Sequence, residues 1–99
     1  MQFYGTVLYV DDVPGVVDFY RRAFGLELRF FDEALGFAEL ETGGSTLAIA
    51  AHSLGGMLMP RAYSRPADGK PAGVEIAFLT GDVSASYAKA IAEGAAHDV

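Results

Sequence analysis

Two side chains in this 99-residue sequence combine a reactive type with a suggestive position: His52 and Glu75. Glu75 follows Val74 and precedes Ile76-Ala77-Phe78-Leu79, a strand-like apolar run. An unpaired buried charge is costly, so the carboxylate must face solvent or a polar pocket. In a pocket it can accept hydrogen bonds, act as a general base, or hold a hard cation through oxygen. His52 stands where another strand-like segment runs into glycine-rich chain, and it is open to three uses: a solvated histidine, a polar group of a pocket, or a metal ligand. His97 lies close to the last residue and takes no role.

Other chemistries fail on residue type or context. Gly43-Gly44 and Gly55-Gly56 lack the strand before, the helix after and the lysine that a phosphate-binding loop needs. Ser53 has no strand-to-helix elbow and no histidine and acid in serviceable order, which removes a nucleophilic triad. There are no cysteines, so disulfides, thiolate nucleophiles and sulfur-held metals are excluded together. Seven basic residues, scattered along the chain, stand against thirteen acidic ones for a net charge of -6. Such a surface repels nucleic acid. No apolar run reaches the roughly 18 residues that span a bilayer, and the N-terminus lacks a basic segment followed by a long apolar one. The expectation is a single soluble domain of cytoplasmic location, with 52% hydrophobic residues for its core.

The elements that must position these side chains come in a repeat. Phe3 to Val10 reads as a strand, and Asp11-Asp12 before Val13-Pro14 reads as a helix start: a carboxylate accepts first-turn amides, and proline is tolerated there. Val16, Val17, Tyr20 and Phe24 recur at helical spacing, and Gly25 closes the helix. Strand-like segments Leu26 to Phe31, Gly36 to Glu41 and Thr46 to Ala51 follow, with Gly43-Gly44 turning between the last two. About 70 residues after the first, a second strand-like segment, Val74 to Thr80, leads through Asp82-Val83 into a helical pattern closed by Gly94. Ser53 to Ala72, with three prolines and no sustained periodicity, reads as a connector; its Met57-Leu58-Met59 forms a soft apolar patch.

The chain thus reads as a βαβββ module over 1–52, a connector over 53–72 and the start of a second module over 73–99. With Val10-Asp11-Asp12, Asp18-Phe19-Tyr20 before Phe24-Gly25-Leu26, the strand pair across Gly43-Gly44, and Val74-Glu75-Ile76-Ala77-Phe78 before Asp82-Val83, it resembles the vicinal-oxygen-chelate superfamily, the group of glyoxalases, bleomycin-resistance proteins and extradiol dioxygenases. The resemblance implies an α+β fold of paired βαβββ modules whose curved mixed sheet forms a cup, with the second module incomplete here. It also implies modules paired between protomers. An incomplete module leaves a sheet edge open, so a homodimer is expected.

Strand parity assigns the lining of that cup. If Leu8 and Val10 pack on the first helix, Phe3, Gly5, Val7 and Tyr9 face the cup; Leu47 and Ile49 under the helix leave Thr46, Ala48, Ala50 and His52 facing it. In the second module, Glu75, Ala77 and Leu79 face inward. Metal-dependent members of the family, the resemblance implies, carry ligands on the first and fourth strands of each module. Here the first-strand position falls at or beside Gly5, which has no side chain, and the fourth-strand position at Ala48 or Ala50, again without a ligand atom; Glu75 and His52 remain as the possible pair. One reading is therefore a metal-free binding protein holding a small, partly aromatic ligand among Tyr9, Phe37, Ala48, Ala50, His52 and Glu75. The other is a lyase, isomerase or dioxygenase dependent on a divalent metal held by Glu75, His52 and a carboxylate from the strand the incomplete second module lacks.

Overall fold

In the computed structural model, which describes residues 1–66, 70 and 72–97, the chain runs β1 (Gly5–Val10), α1 (Val13–Phe24), β2 (Glu27–Asp32), β3 (Phe37–Glu41), β4 (Thr46–Ala51), α2 (His52–Leu58) and α3 (Val83–Ala92). The repeated Asp-Val pairs start α1 and α3 in the same way. The Asp12 carboxylate accepts the Gly15 amide at 3.1 Å, and that of Asp82 accepts the Ala85 amide at 3.0 Å. Each satisfies a donor that the first turn leaves without a helical partner. Gly25 closes α1 at φ 69°, a left-handed conformation that glycine adopts without steric cost.

The four strands form one mixed sheet in the order β1-β4-β3-β2, with β1 parallel to β4 and the other pairs antiparallel. A βαβ crossover places α1 over one face. Val13 and Val17 of α1 meet Ala38, Leu40, Leu47 and Ile49 there, joined by Leu8 and Val10. Leu40 and Ile49 are 0% exposed, and full burial of side chains of this size stabilises by roughly 1.5 to 3 kcal/mol each. The strand parity expected for β1 and β4 holds. The expected stripe on α1 splits in two: Val13 and Val17 face the sheet, whereas Tyr20 and Phe24 are half-buried and turn towards Phe78.

Two expectations are corrected. Residues 74–80 form no strand. Ile76 packs against the core under α1 and Phe78, itself 39% exposed, stacks on Phe24, so two contacts with the helix layer stand in place of pairing with a sheet edge. Inward and outward faces therefore do not exist for Glu75, which is exposed. The connector also holds a helix, α2, where turn-forming residues pointed to a loop. Its Gly55 approaches the ring of Tyr63 so closely that an added Cβ would lie 2.7 Å from it. Residues 67–69 and 71 of the expected connector, and 98–99 of the expected second module, lie outside the described residues. No described helix is long and apolar enough to cross a membrane.

Candidate functional site

The sheet face opposite α1 is laid out by register. Across β1, β4 and β3 it presents three rows: Gly5, Thr46 and Glu41; Val7, Ala48 and Glu39; Tyr9, Ala50 and Phe37. Small residues occupy the middle strand, β3 brings two carboxylates and Phe37, and β1 brings Gly5, Val7 and Tyr9. β2 adds to this face through an irregularity. Its pairing with β3 slips between Leu28 and Phe30, and a bulge of this kind redirects a side chain. Arg29, the residue passed over, donates through Nε and Nη2 to Glu41 Oε2 at 2.9 and 2.7 Å and through Nη1 to Thr46 at 2.9 Å. Phe30 lies beside Phe37, with ring centroids 6.5 Å apart.

Electrostatics follow from these contacts. The hydrogen bonds from Arg29 hold the Glu41 carboxyl below its ordinary range, helped by the Gly43 amide, and the same contact raises the guanidinium. Glu39 is served less well. Its nearest guanidinium nitrogen is 3.8 Å away, and its other partner is the phenol of Tyr4 at 3.2 and 3.4 Å. Two carboxylates share one guanidinium, leaving this patch one negative charge in excess.

The far end of the face is filled by the chain itself. Tyr63 packs edge-on against Tyr9, with centroids 5.2 Å apart, and its hydroxyl is hydrogen-bonded to His52 Nδ1. His52 Nε2 lies 3.6 Å from Asp11, which also pairs with Arg65. His52 thus ties the 59–66 segment to the end of the sheet.

The six expected ligand-binding residues are divided by this arrangement. Tyr9, Phe37, Ala48 and Ala50 share the face. Ala48 and Ala50 are 3% and 0% exposed, so they shape the floor but offer almost no surface. His52 stands at the edge among Tyr63 and Asp11, and Glu75 lies on the 74–80 segment outside the sheet. Sequence reading missed Tyr4, Arg29, Glu39 and Tyr63. The alternation Phe37-Ala38-Glu39-Leu40-Glu41 does signal that Glu39 shares the face of Phe37; nothing in the sequence announces the bulge at Arg29.

The donor set does not fit a divalent ion. Gly5 has no side chain, and a Cβ there would lie 2.1 Å from the Thr46 carbonyl oxygen. Both His52 nitrogens face protein groups, and Glu75 is exposed on the 74–80 segment. Among the described residues no three His, Cys, Asp or Glu side chains gather to hold a metal. A separate hollow of about 660 Å³ opens between α1, the 76–80 segment and α3, lined by Tyr20, Phe24, Phe78, Tyr87 and Ala90. It is an apolar gap between packed elements, and burial there raises the Tyr20 phenol. Polar groups converge on the sheet face instead, which makes that face the candidate site.

A family model described as the Glyoxalase/Bleomycin resistance protein/Dioxygenase superfamily matches residues 3–98. Among solved structures, a gene product from Arabidopsis thaliana superposes with a TM-score of 0.78 at 24% identity, over 100% of this chain and 79% of the other. A glyoxalase/bleomycin resistance protein/dioxygenase family enzyme from Burkholderia phytofirmans gives 0.66 at 22%, over 95% and 74%. Lactoylglutathione lyase from Agrobacterium tumefaciens gives 0.53 at 19%, over 93% and 66%. At these identities the likeness is one of fold. No curated protein matches the chain.

Proposed function

The chain belongs to the glyoxalase/bleomycin resistance protein/dioxygenase superfamily, and within it we propose a metal-free binding protein that holds a small, partly aromatic molecule on the concave sheet face. The observation that carries this reading is the row pattern of that face: alanines along β4, flanked by Tyr9 and Phe37 at one end and by the Arg29, Glu39 and Glu41 network at the other. The alanine floor puts no side-chain bulk between the flanks, Phe37 and Phe30 supply apolar contact beside the end that Tyr63 fills, and a few polar groups fix a guest's orientation. Gly5, Ala48 and Ala50 stand where a metal-using relative would need donor atoms. Their side chains support binding over metal-assisted catalysis.

The reading includes assembly and location. The outer edges of β1 and β2 have no strand partner among the described residues, and open edges favour association. A cytoplasmic homodimer, whose second copy closes the cup, is the form we assign.

The test joins elemental analysis to ligand screening. Protein purified without added metal is expected to carry no stoichiometric zinc, nickel, iron or manganese. A panel of glycopeptide antibiotics and aromatic metabolites is expected to contain compounds that raise the melting temperature, since binding to the folded state alone stabilises it. Stoichiometric metal, or no stabilisation by any member of the panel, overturns the reading.

A further inference from the structure

Tyr4 is held in an unusual place. It precedes β1, yet its phenol donates to Glu39 on β3, and β4 lies between those two strands. The ring must cross the concave face above Thr46 and Ala48 to reach its acceptor. It is nonetheless 66% exposed, and the 3.2 Å contact is long for a hydroxyl on a carboxylate, where about 2.6 Å is usual. This is a lightly tethered arm. Glu39 has little else: Arg29 gives its short hydrogen bonds to Glu41 and Thr46 and stays 3.8 Å from Glu39, whose side chain is only 17% exposed.

Resting on the binding reading above, we propose that the cup takes an aromatic ring bearing a cationic nitrogen, with Glu39 as its receptor and Tyr4 as the internal group it displaces. An ammonium in place of the Tyr4 hydroxyl supplies the short, charge-assisted hydrogen bond that Glu39 lacks and cancels the excess negative charge. The ligand ring then lies where the Tyr4 ring lies, over Ala48 and beside Val7 and Phe30, which share its row. A ligand carboxylate would meet Glu39 and Glu41 together. Electrostatic mismatch of this kind is a means of discrimination.

The chain has no tryptophan, so indole fluorescence reports a ligand without protein background. Tryptamine, indole and indole-3-propionate serve as probes, read by fluorescence anisotropy. Tryptamine is expected to bind best, and Glu39→Gln to weaken it by about tenfold or more. Tyr4→Phe and Tyr4→Ala, at an exposed position, are expected to fold normally and to strengthen tryptamine binding several-fold, because an occupied site lowers apparent affinity by the fraction that is free. Indole-3-propionate binding as well as tryptamine, indifference to Glu39→Gln, or weaker binding by both Tyr4 variants overturns the proposal. Failure of tryptamine to bind even Tyr4→Ala overturns this ligand class alone. Failure of the wider antibiotic and metabolite panel overturns the binding reading itself.

Discussion

The rings of Phe24 and Phe78 stack with centroids 4.6 Å apart and planes inclined by 20°, joining α1 to a segment 54 positions further along the chain that has no strand pairing of its own. Phe24→Ala is expected to cost about 2 to 3 kcal/mol, below the core range because the ring is only half-buried. The loss should be local first. Hydrogen exchange over 74–92 should accelerate more than over 37–51. Arg22→Ala, which removes exposed pairs with Asp18 and Glu93, should cost well under 1 kcal/mol. Equal denaturation midpoints for the two variants would show that the stack carries nothing.

The Arg29 and Glu41 pair sets a pH dependence of known sign. The folded protein holds the Glu41 carboxyl below its ordinary range, so its contribution is complete above the unfolded value of about 4.3 and is lost as pH falls through the folded one. Melting temperatures of the native chain and of Glu41→Gln should differ at pH 7 and converge in acid below about pH 4. Molar salt should narrow the gap at pH 7. A gap that widens in acid would contradict the arrangement.

His52 and Glu75 should behave independently of metal. Excess Zn²⁺ or Mn²⁺ should leave the melting temperature unchanged, and Glu75→Gln should shift stability by no more than about 0.5 kcal/mol, as expected of an exposed position. Tyr63→Phe, which removes a hydrogen bond to His52, should cost about 1 kcal/mol and expose the 59–66 segment to protease. Metal-dependent stabilisation lost in His52→Ala would restore the metalloprotein reading.

Assembly is checked by light scattering at tens of micromolar. The expected mass is about twice 10.5 kDa. Phe3, 70% exposed and two residues ahead of β1, is the position at which Phe3→Lys should shift the protein to monomer with little loss of folding. A monomer for the native chain at that concentration would remove the homodimer.

Legibility in the sequence tracked how local the determinant is. Caps and closures depend on residues three or four apart, and Asp12, Gly25 and Asp82 were readable on that basis. Parity in β1 and β4 was readable because each strand has one face against α1. The 74–80 segment was not, since its composition suits a strand while the contact it makes, Phe78 on Phe24, joins residues 54 apart in sequence. Glycines 55 and 56 read as loop formers; what needs a glycine at 55 is the ring of Tyr63, eight residues on, which leaves no space for a Cβ. The candidate site was least legible. Arg29 reaches the concave face through a slip in pairing, and Tyr4 reaches Glu39 against the alternation that the next residues obey.

The contact between Gly5 and β4 limits how this protein can change. A Cβ at residue 5 would stand 2.1 Å from the Thr46 carbonyl oxygen and 2.9 Å from its Cβ, and neither backbone can yield without parting the one parallel pair in the sheet. Gly5→His is therefore a structural lesion before it is a new ligand. The missing methyl group fixes the point at which the two strands meet: residue 5 can gain no side chain while β1 stays paired with β4, so change on this face is left to the other positions of its rows.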